Sequence, residues 1–266
     1  DAHSPIKGIV HRYPDRVLLK AIHVCEVYCR FCFRREKVGR GKEILSHEQL
    51  SDALNYIRDH KEIFEVILSG GDPLLLHPDK LSAIIHELSQ IDHVQVIRVH
   101  TRLPLASPEK VSSKLLNALE TEKAVFVVVH CNSNEEITAD VKAAFKRFLS
   151  VGIPLLSQSV LLKGINDSAD LLEKLFRTLV ANRVKPYYLH HPDKAEGTSH
   201  FRVPVSEGVK LTKSLRGNVS GLCQPNYVLD IPGGHGKVPI GHNYIDERED
   251  SLIVEDWQGK DHFYKD

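Results

Sequence analysis

The chain has 266 residues, and Lys plus Arg balance Asp plus Glu at 35 each. That balance excludes the basic footprint of a nucleic-acid or anionic-membrane binder, and no apolar run approaches the roughly 18 residues of a membrane span. The length suits one large α/β domain or two small ones, and five cysteines, three of them clustered, argue against a disulfide framework and for a reducing cytoplasm.

The chain opens on Asp1, so it reads as a fragment or as a chain whose start is missing; separately, it contains no Met. Residues 1–16 are polar and turn-rich. Within them, His11-Arg-Tyr-Pro-Asp-Arg16 reads either as a solvated lead-in or as a phosphate clamp, because guanidinium groups bind phosphate oxygens in pairs. The apolar run 17–24 predicts a buried strand that leads straight into Cys25-Glu-Val-Tyr-Cys29-Arg-Phe-Cys32. Ser46-His-Glu-Gln49 fits a capping box and opens a helix to about residue 61. A second strand over 64–68 ends in Ser69-Gly-Gly-Asp72. A helix over 79–91, a strand over 94–100, a helix over 108–120 and a strand over 124–130 follow. The next expected elements are a helix over 135–150, a strand over 153–162, a helix over 167–182, a strand over 184–190 and a short helix over 206–216. Six nearly continuous apolar strands alternating with helices predict a parallel sheet covered by helices, bent into an open or partial barrel. Polar residues recur at the strand C-termini, among them His100, His130, Gln158 and His190, where (β/α) barrels gather their active sites. Beyond residue 216 the chain becomes glycine-rich around Gly233-Gly-His-Gly-Lys237, and 240–266 is polar and hairpin-like, with a strand over 251–257 and a turn at Gln258-Gly259.

Three thiols in the spacing C-x3-C-x2-C are one short of the four that usually hold a [4Fe–4S] cube, so one iron would stay open to another ligand. The spacing is too tight for an ordinary zinc finger, and the alternative is three reduced cysteines packed as small apolar groups. Gly70-Gly71-Asp72 is either an ordinary βα turn or a close backbone approach to a ligand, with a carboxylate placed for an ammonium group. The loop ending in Lys237 lacks the first Gly and the Ser or Thr of a phosphate-binding P-loop. A desolvated lysine there could instead form a Schiff base, against the usual fate of a solvated surface lysine. Asp193 and Asp230 are caps or surface charges unless they converge, in which case they suit a cationic side chain.

Together these elements resemble the lysine 2,3-aminomutase family of PLP-dependent radical SAM enzymes, from His11-Arg-Tyr-Pro to Lys237-Val-Pro. The resemblance implies a partial (β/α)6 barrel over 17–216, a lead-in over 1–16 that contributes to the PLP site, and a PLP-lysine segment with a hairpin over 217–266. It implies that Cys25, Cys29 and Cys32 hold a [4Fe–4S] cluster. Ser69, Gly70, Gly71 and Asp72, with His130 and Gln158, match the positions around S-adenosyl-L-methionine (SAM). Arg12, Tyr13 and Arg16 match those around the phosphate of pyridoxal 5′-phosphate (PLP), and Lys237 the lysine that carries it. Arg34 matches the partner of the substrate carboxylate, and Asp193 and Asp230 the pair that binds the distant ammonium of L-lysine. The implied reaction is a radical 1,2-amino migration from L-lysine to β-lysine, with an electron donor such as flavodoxin or ferredoxin, no nucleic acid and no membrane; homo-oligomerisation stays open. The chain departs from the family at His235, where the loop usually has Gly, at His190, where Tyr is usual, and at Ser168, where some members have a zinc-binding cysteine. Two other readings are a β-lysine-forming enzyme that serves elongation factor P and a non-catalytic iron–sulfur protein for sensing or electron transfer. Neither a sensor nor an electron carrier needs Lys237 or the two aspartates.

Overall fold

The computed structural model describes residues 3–35, 38–39, 44–248 and 251–265, so the outermost residues of the expected lead-in and C-terminal segments lie outside it. Two strands open the fold, β1 (Ile9–Tyr13) and β2 (Arg16–Ile22), followed by helix α1 (His47–Asp59) and β3 (Glu65–Gly70). Then come α2 (Pro78–Ser89), β4 (Val96–Thr101), α3 (Leu103–Ala106), α4 (Ser113–Asn117) and β5 (Ala124–His130). The chain continues through α5 (Ala139–Ser150), β6 (Leu155–Val160), α6 (Ala169–Ala181), β7 (Val184–His190), α7 (Val205–Leu215), β8 (Asn226–Ile231) and β9 (Gly236–Pro239). Three short strands end it: β10 (Ile245–Arg248), β11 (Ser251–Glu255) and β12 (Asp261–Tyr264).

The strands β1 to β9 form one sheet in chain order. Neighbours from β2 to β8 pair in parallel, and β1 and β9 pair antiparallel at the two edges. The expected α/β partial barrel is therefore present, with one more parallel strand than the six predicted. Asn226-Tyr-Val-Leu-Asp-Ile231 is reached through α7, the crossover that a further parallel strand requires. The sheet also runs across both expected boundaries, 16/17 and 216/217: β1 and β2 are hydrogen-bonded together, as are β7 and β8.

Side chains draw the two edges of the sheet together. The Tyr13 hydroxyl accepts from the Lys237 backbone N–H at 2.7 Å, Arg12 binds Asp230 at 2.9 Å, and the His3 ring meets the Gly234 carbonyl at 3.0 Å. The barrel is nearly closed, and strands from opposite ends of the chain share one wall.

Strand alternation decides what lies inside it. On β4, Ile97 and Val99 are fully buried under the helices, whereas Arg98 and His100 point into the barrel. The outward residues meet Leu81, Ile84 and Leu88 of α2, Phe145 and Phe148 of α5 and Phe176 of α6, all fully buried. Each such side chain contributes roughly 1.5–3 kcal/mol by leaving water. Ser46 and Gln49 form the expected capping box on α1, and Ser168 caps α6 by accepting from the Leu171 N–H. The helix expected over 108–120 is instead a 3-10 turn followed by α4, because the Ser112 hydroxyl accepts from Leu115 and starts a new helix. The helix expected from 135 starts at Ala139 for the same reason, with Thr138 as its cap. The C-terminal strands form a separate three-stranded antiparallel sheet, and Trp257 lies beyond its middle strand, packed on Gly217.

Candidate active site

A cavity of about 550 Å³ opens at the C-terminal ends of the parallel strands, within the size range of ligand clefts. Cys25, Cys29, Cys32, Arg34, Ser69 to Asp72, His130, Gln158, Arg12, Tyr13, Arg16, Asp193, Asp230 and Lys237 all line it. The sequence candidates therefore converge on one space, although they span 226 positions of the chain from Arg12 to Lys237 (12 to 237 inclusive).

The cysteine loop bulges from the end of β2 and is tied down on several sides. Gly71 N–H donates to the Ile22 carbonyl and Asp72 N–H to the Val24 carbonyl, while Glu26 accepts from Ser107 and Lys110. All three cysteines are free thiols. Burial, then Asp72 and the other two cysteines, pushes the Cys25 thiol up to about 12, and burial also raises Cys29. A cluster must therefore displace protons held by this environment, so its binding is proton-coupled. Among the described residues no three His, Cys, Asp or Glu side chains crowd around a single ion. Three thiols lining one cavity suit a cluster, which spreads its ligands over several irons.

Gly70 and Gly71 line the cavity and also let the protein backbone pack closely on the cysteine loop. A Cβ on Gly70 would lie 2.4 Å from the Ile22 carbonyl, and one on Gly71 would lie 2.1 Å from the Val24 carbonyl. Gly70 also has φ of 117°, a conformation that favours glycine. The expectation for Asp72 changes as well. Its carboxylate is buried and accepts from the Thr101 hydroxyl and the backbone N–H groups of Leu74, Arg102 and Leu103. It is a knot joining the ends of β3 and β4, with its oxygens already engaged by protein donors. Arg34 Nη1 donates to the Ser69 hydroxyl at 3.2 Å and the Gly70 carbonyl at 3.4 Å. Arg34 forms no ion pair with a carboxylate among the described residues, and burial lowers its pKa.

Three inward histidines stand between the two ends of the cavity. His130 lies beside Gln158 in the β5–β6 register, and the His190 ring reaches Gln158 Oε1 at 3.4 Å. Burial brings His130 and His190 down to about 3, helped by Arg102 and by Lys237 respectively, and burial holds His100 well below its usual value, so all three are neutral at pH 7. The Nε2 atoms of His100 and His130 are buried without a partner in the protein. An orphaned nitrogen on a cavity wall suits the polar atoms of a bound ligand.

At the other end, Asp230 accepts from Arg12 and Lys237, both at 2.9 Å. Burial alone would raise its carboxyl, but Lys237 and then Arg12 overcome that and hold it below the usual range. Asp193 lies exposed at the cavity mouth, where partial desolvation and then Asp230 raise its carboxyl. Arg16 stacks on Tyr13, 4.0 Å from the ring centroid, and pairs with Asp15 at 2.5 Å. The glycine loop is the β8–β9 hairpin turn, with positive φ at Gly233, Gly234 and Gly236 and an exposed His235. A lysine anchored beside two arginines, in a cavity rimmed by carboxylates, fits a phosphorylated aldehyde cofactor.

Sequence reasoning left Arg102, Glu136, Phe31 and Tyr188 out of the site. Strand parity counted back two residues from His190 would have found Tyr188, whereas parity counted forward from Val184 misleads, because an extra residue on β7 between Pro186 and Tyr188 resets the alternation.

The Radical SAM superfamily matches residues 19–175, and a second family, described as Lysine-2,3-aminomutase, matches residues 212–266. The L-lysine 2,3-aminomutase of Clostridium subterminale is 40% identical over 260 residues, covering 97% of this chain and 62% of that protein. This chain belongs to the lysine 2,3-aminomutase family of the radical SAM superfamily. The family is not uniform in substrate: a glutamate 2,3-aminomutase from Clostridioides difficile is 34% identical over 258 residues, covering 97% of this chain and 61% of that protein. Among solved structures, Streptococcus suis SuiB bound to S-adenosylmethionine matches in fold alone, with a TM-score of 0.64, 13% identity, and coverage of 84% of this chain and 52% of that one. The chain spans about six-tenths of the length of the curated relatives it matches. Membership in the radical SAM superfamily implies a [4Fe–4S] cluster and SAM. No helix among the described residues is long and apolar enough to cross a membrane.

Proposed function

We propose that the chain carries the catalytic core of an isomerase that moves the α-amino group of L-lysine to C3, giving β-lysine. The observation that carries this reading is the convergence of Cys25, Cys29 and Cys32 with Lys237, Asp230 and Asp193 on one cavity. When bound, the cluster with SAM would supply a carbon radical, and PLP on Lys237 would delocalise the unpaired electron during nitrogen migration.

The protein's share is orientation, charge and exclusion of water. Cys25, Cys29 and Cys32 hold the cluster, and the backbone of Ser69 to Gly71, with His130 and Gln158, borders the SAM side. Arg12, Tyr13 and Arg16 take the phosphate. Arg34, unpaired to any carboxylate among the described residues, takes the substrate carboxylate. Asp230 is neutralised by Lys237 and Arg12 before loading. With PLP bound, Arg12 would turn toward its phosphate, and Asp230 with Asp193 would offer an acidic pair to the distant ammonium of the substrate. The lead-in and the glycine hairpin thus serve PLP, and the barrel between them serves SAM. A one-electron donor such as flavodoxin or ferredoxin would reduce the cluster.

The acidic pair argues for lysine over glutamate. Charge-assisted hydrogen bonds contribute roughly 1.5–3 kcal/mol each, whereas a carboxylate placed there costs several kcal/mol. Lysine should be preferred by more than about a hundredfold. The test assays the anaerobically reconstituted chain with SAM, PLP and reductant against lysine, glutamate, ornithine and arginine. Lysine turnover that Asp193→Asn and Asp230→Asn each reduce is expected; glutamate turning over as fast as lysine would overturn the reading.

A further inference from the structure

Arg102 follows the last residue of β4 and faces the cluster end of the cavity. Its side chain is held from behind: Nη2 donates to Glu136 Oε2, while Glu136 Oε1 accepts from the backbone N–H groups of Asn132 and Ser133 at 2.8 and 3.0 Å. Its own backbone N–H donates to the Asp72 knot at 2.8 Å. In front, the guanidinium carbon lies 5.4 Å from the ring centroid of Phe31, which stands between Cys29 and Cys32 in the loop. The Phe31 ring in turn contacts His130, with centroids 5.3 Å apart. Nη1 is buried and makes no hydrogen bond. A guanidinium so fixed under an aromatic ring gives the cysteine loop a seat and brings a permanent positive charge beside it.

We propose that the Arg102–Glu136 pair is a positioning and charge-setting device for the cluster: Arg102 favours its reduced state, Glu136 moderates that effect, and Phe31 keeps the loop at a fixed distance from both. Reduction adds one negative charge to the cluster. A nearby cation stabilises the reduced form more than the oxidised form, and a nearby carboxylate does the opposite. No substrate or PLP contact is required of either residue. The inference rests on the cluster being held by Cys25, Cys29 and Cys32.

The experiment is a redox titration of the SAM-free, PLP-free, anaerobically reconstituted chain, followed by electron paramagnetic resonance, with iron counted first. Glu136→Gln can keep its backbone acceptor while losing its charge, and its midpoint potential should rise. Arg102→Gln should shift the midpoint down, and Arg102→Lys, which restores the charge, should recover most of that shift. A purely structural pair would lower cluster occupancy in both charge-removing variants without moving their potentials in opposite directions. Cluster-loaded variants whose potentials do not move, or move the same way, overturn the inference alone. A wild-type chain that binds no cluster overturns the cluster assignment and this inference together.

Discussion

Asp72 separates what a motif names from what a side chain does. Beside two glycines and a cysteine loop its carboxylate reads as a ligand for an ammonium group, yet it is 4% exposed and bound by Thr101, Leu74, Arg102 and Leu103. The sequence could not reveal this, because three of its partners lie on the next strand and beyond, about thirty residues away, and two of those donate through the backbone, which carries no residue signature. Asp72→Asn would set an amide N–H against backbone donors and leave at least one without an acceptor. It should lower the unfolding free energy of the cofactor-free chain by about 2–4 kcal/mol, read as a lower urea midpoint at unchanged slope. A midpoint equal to that of the wild type would return Asp72 to a purely ligand-binding role. Lys237 differs in that its glycine loop is a local pattern, whereas Asp230 on its own reads as a cap or a surface charge and drew its meaning from the resemblance.

Elements were legible where the code is local. The strand runs over 17–24, 64–68 and 124–130 are mostly apolar and match β2, β3 and β5 closely. The eighth strand was hidden because Asn226 to Ile231 is short, carries Asp230 and runs into a glycine loop. The helices that began later than expected did so because Ser112 and Thr138 cap from within stretches that already looked helical. The element that most constrains the site is the join between the end of β3 and the cysteine loop. Gly71→Ala would bring a methyl group within 2.1 Å of the Val24 carbonyl and 2.6 Å of the Val24 nitrogen, both backbone atoms that cannot rotate away. The variant should keep its far-ultraviolet circular dichroism but lose most of its iron on reconstitution. Gly152→Ala, whose Cβ would meet nothing within 4 Å, should keep its iron and lose only about 1 kcal/mol from its left-handed backbone. Equal iron in the two variants would mean that the join does not shape the loop.

At the scale of the whole molecule, the sheet brings distant parts of the chain together. The chain enters on β1 and leaves the barrel on β9, and across the gap Tyr13 binds Lys237 of β9 while Arg12 binds Asp230 of the adjoining β8. The cysteine loop at the start of the parallel run and the lysine hairpin at its end therefore face the same cavity. That closure predicts hydrogen transfer between a substrate attached at the Lys237 end and SAM at the cluster end. The measurement uses L-lysine deuterated at C3, incubated with the reconstituted chain, SAM, PLP and reductant. Deuterium in the 5′-methylene of recovered SAM, together with β-lysine, is the predicted result. β-Lysine formed with no deuterium in SAM, or SAM cleaved with no label and no β-lysine while iron and PLP are both bound, would contradict it.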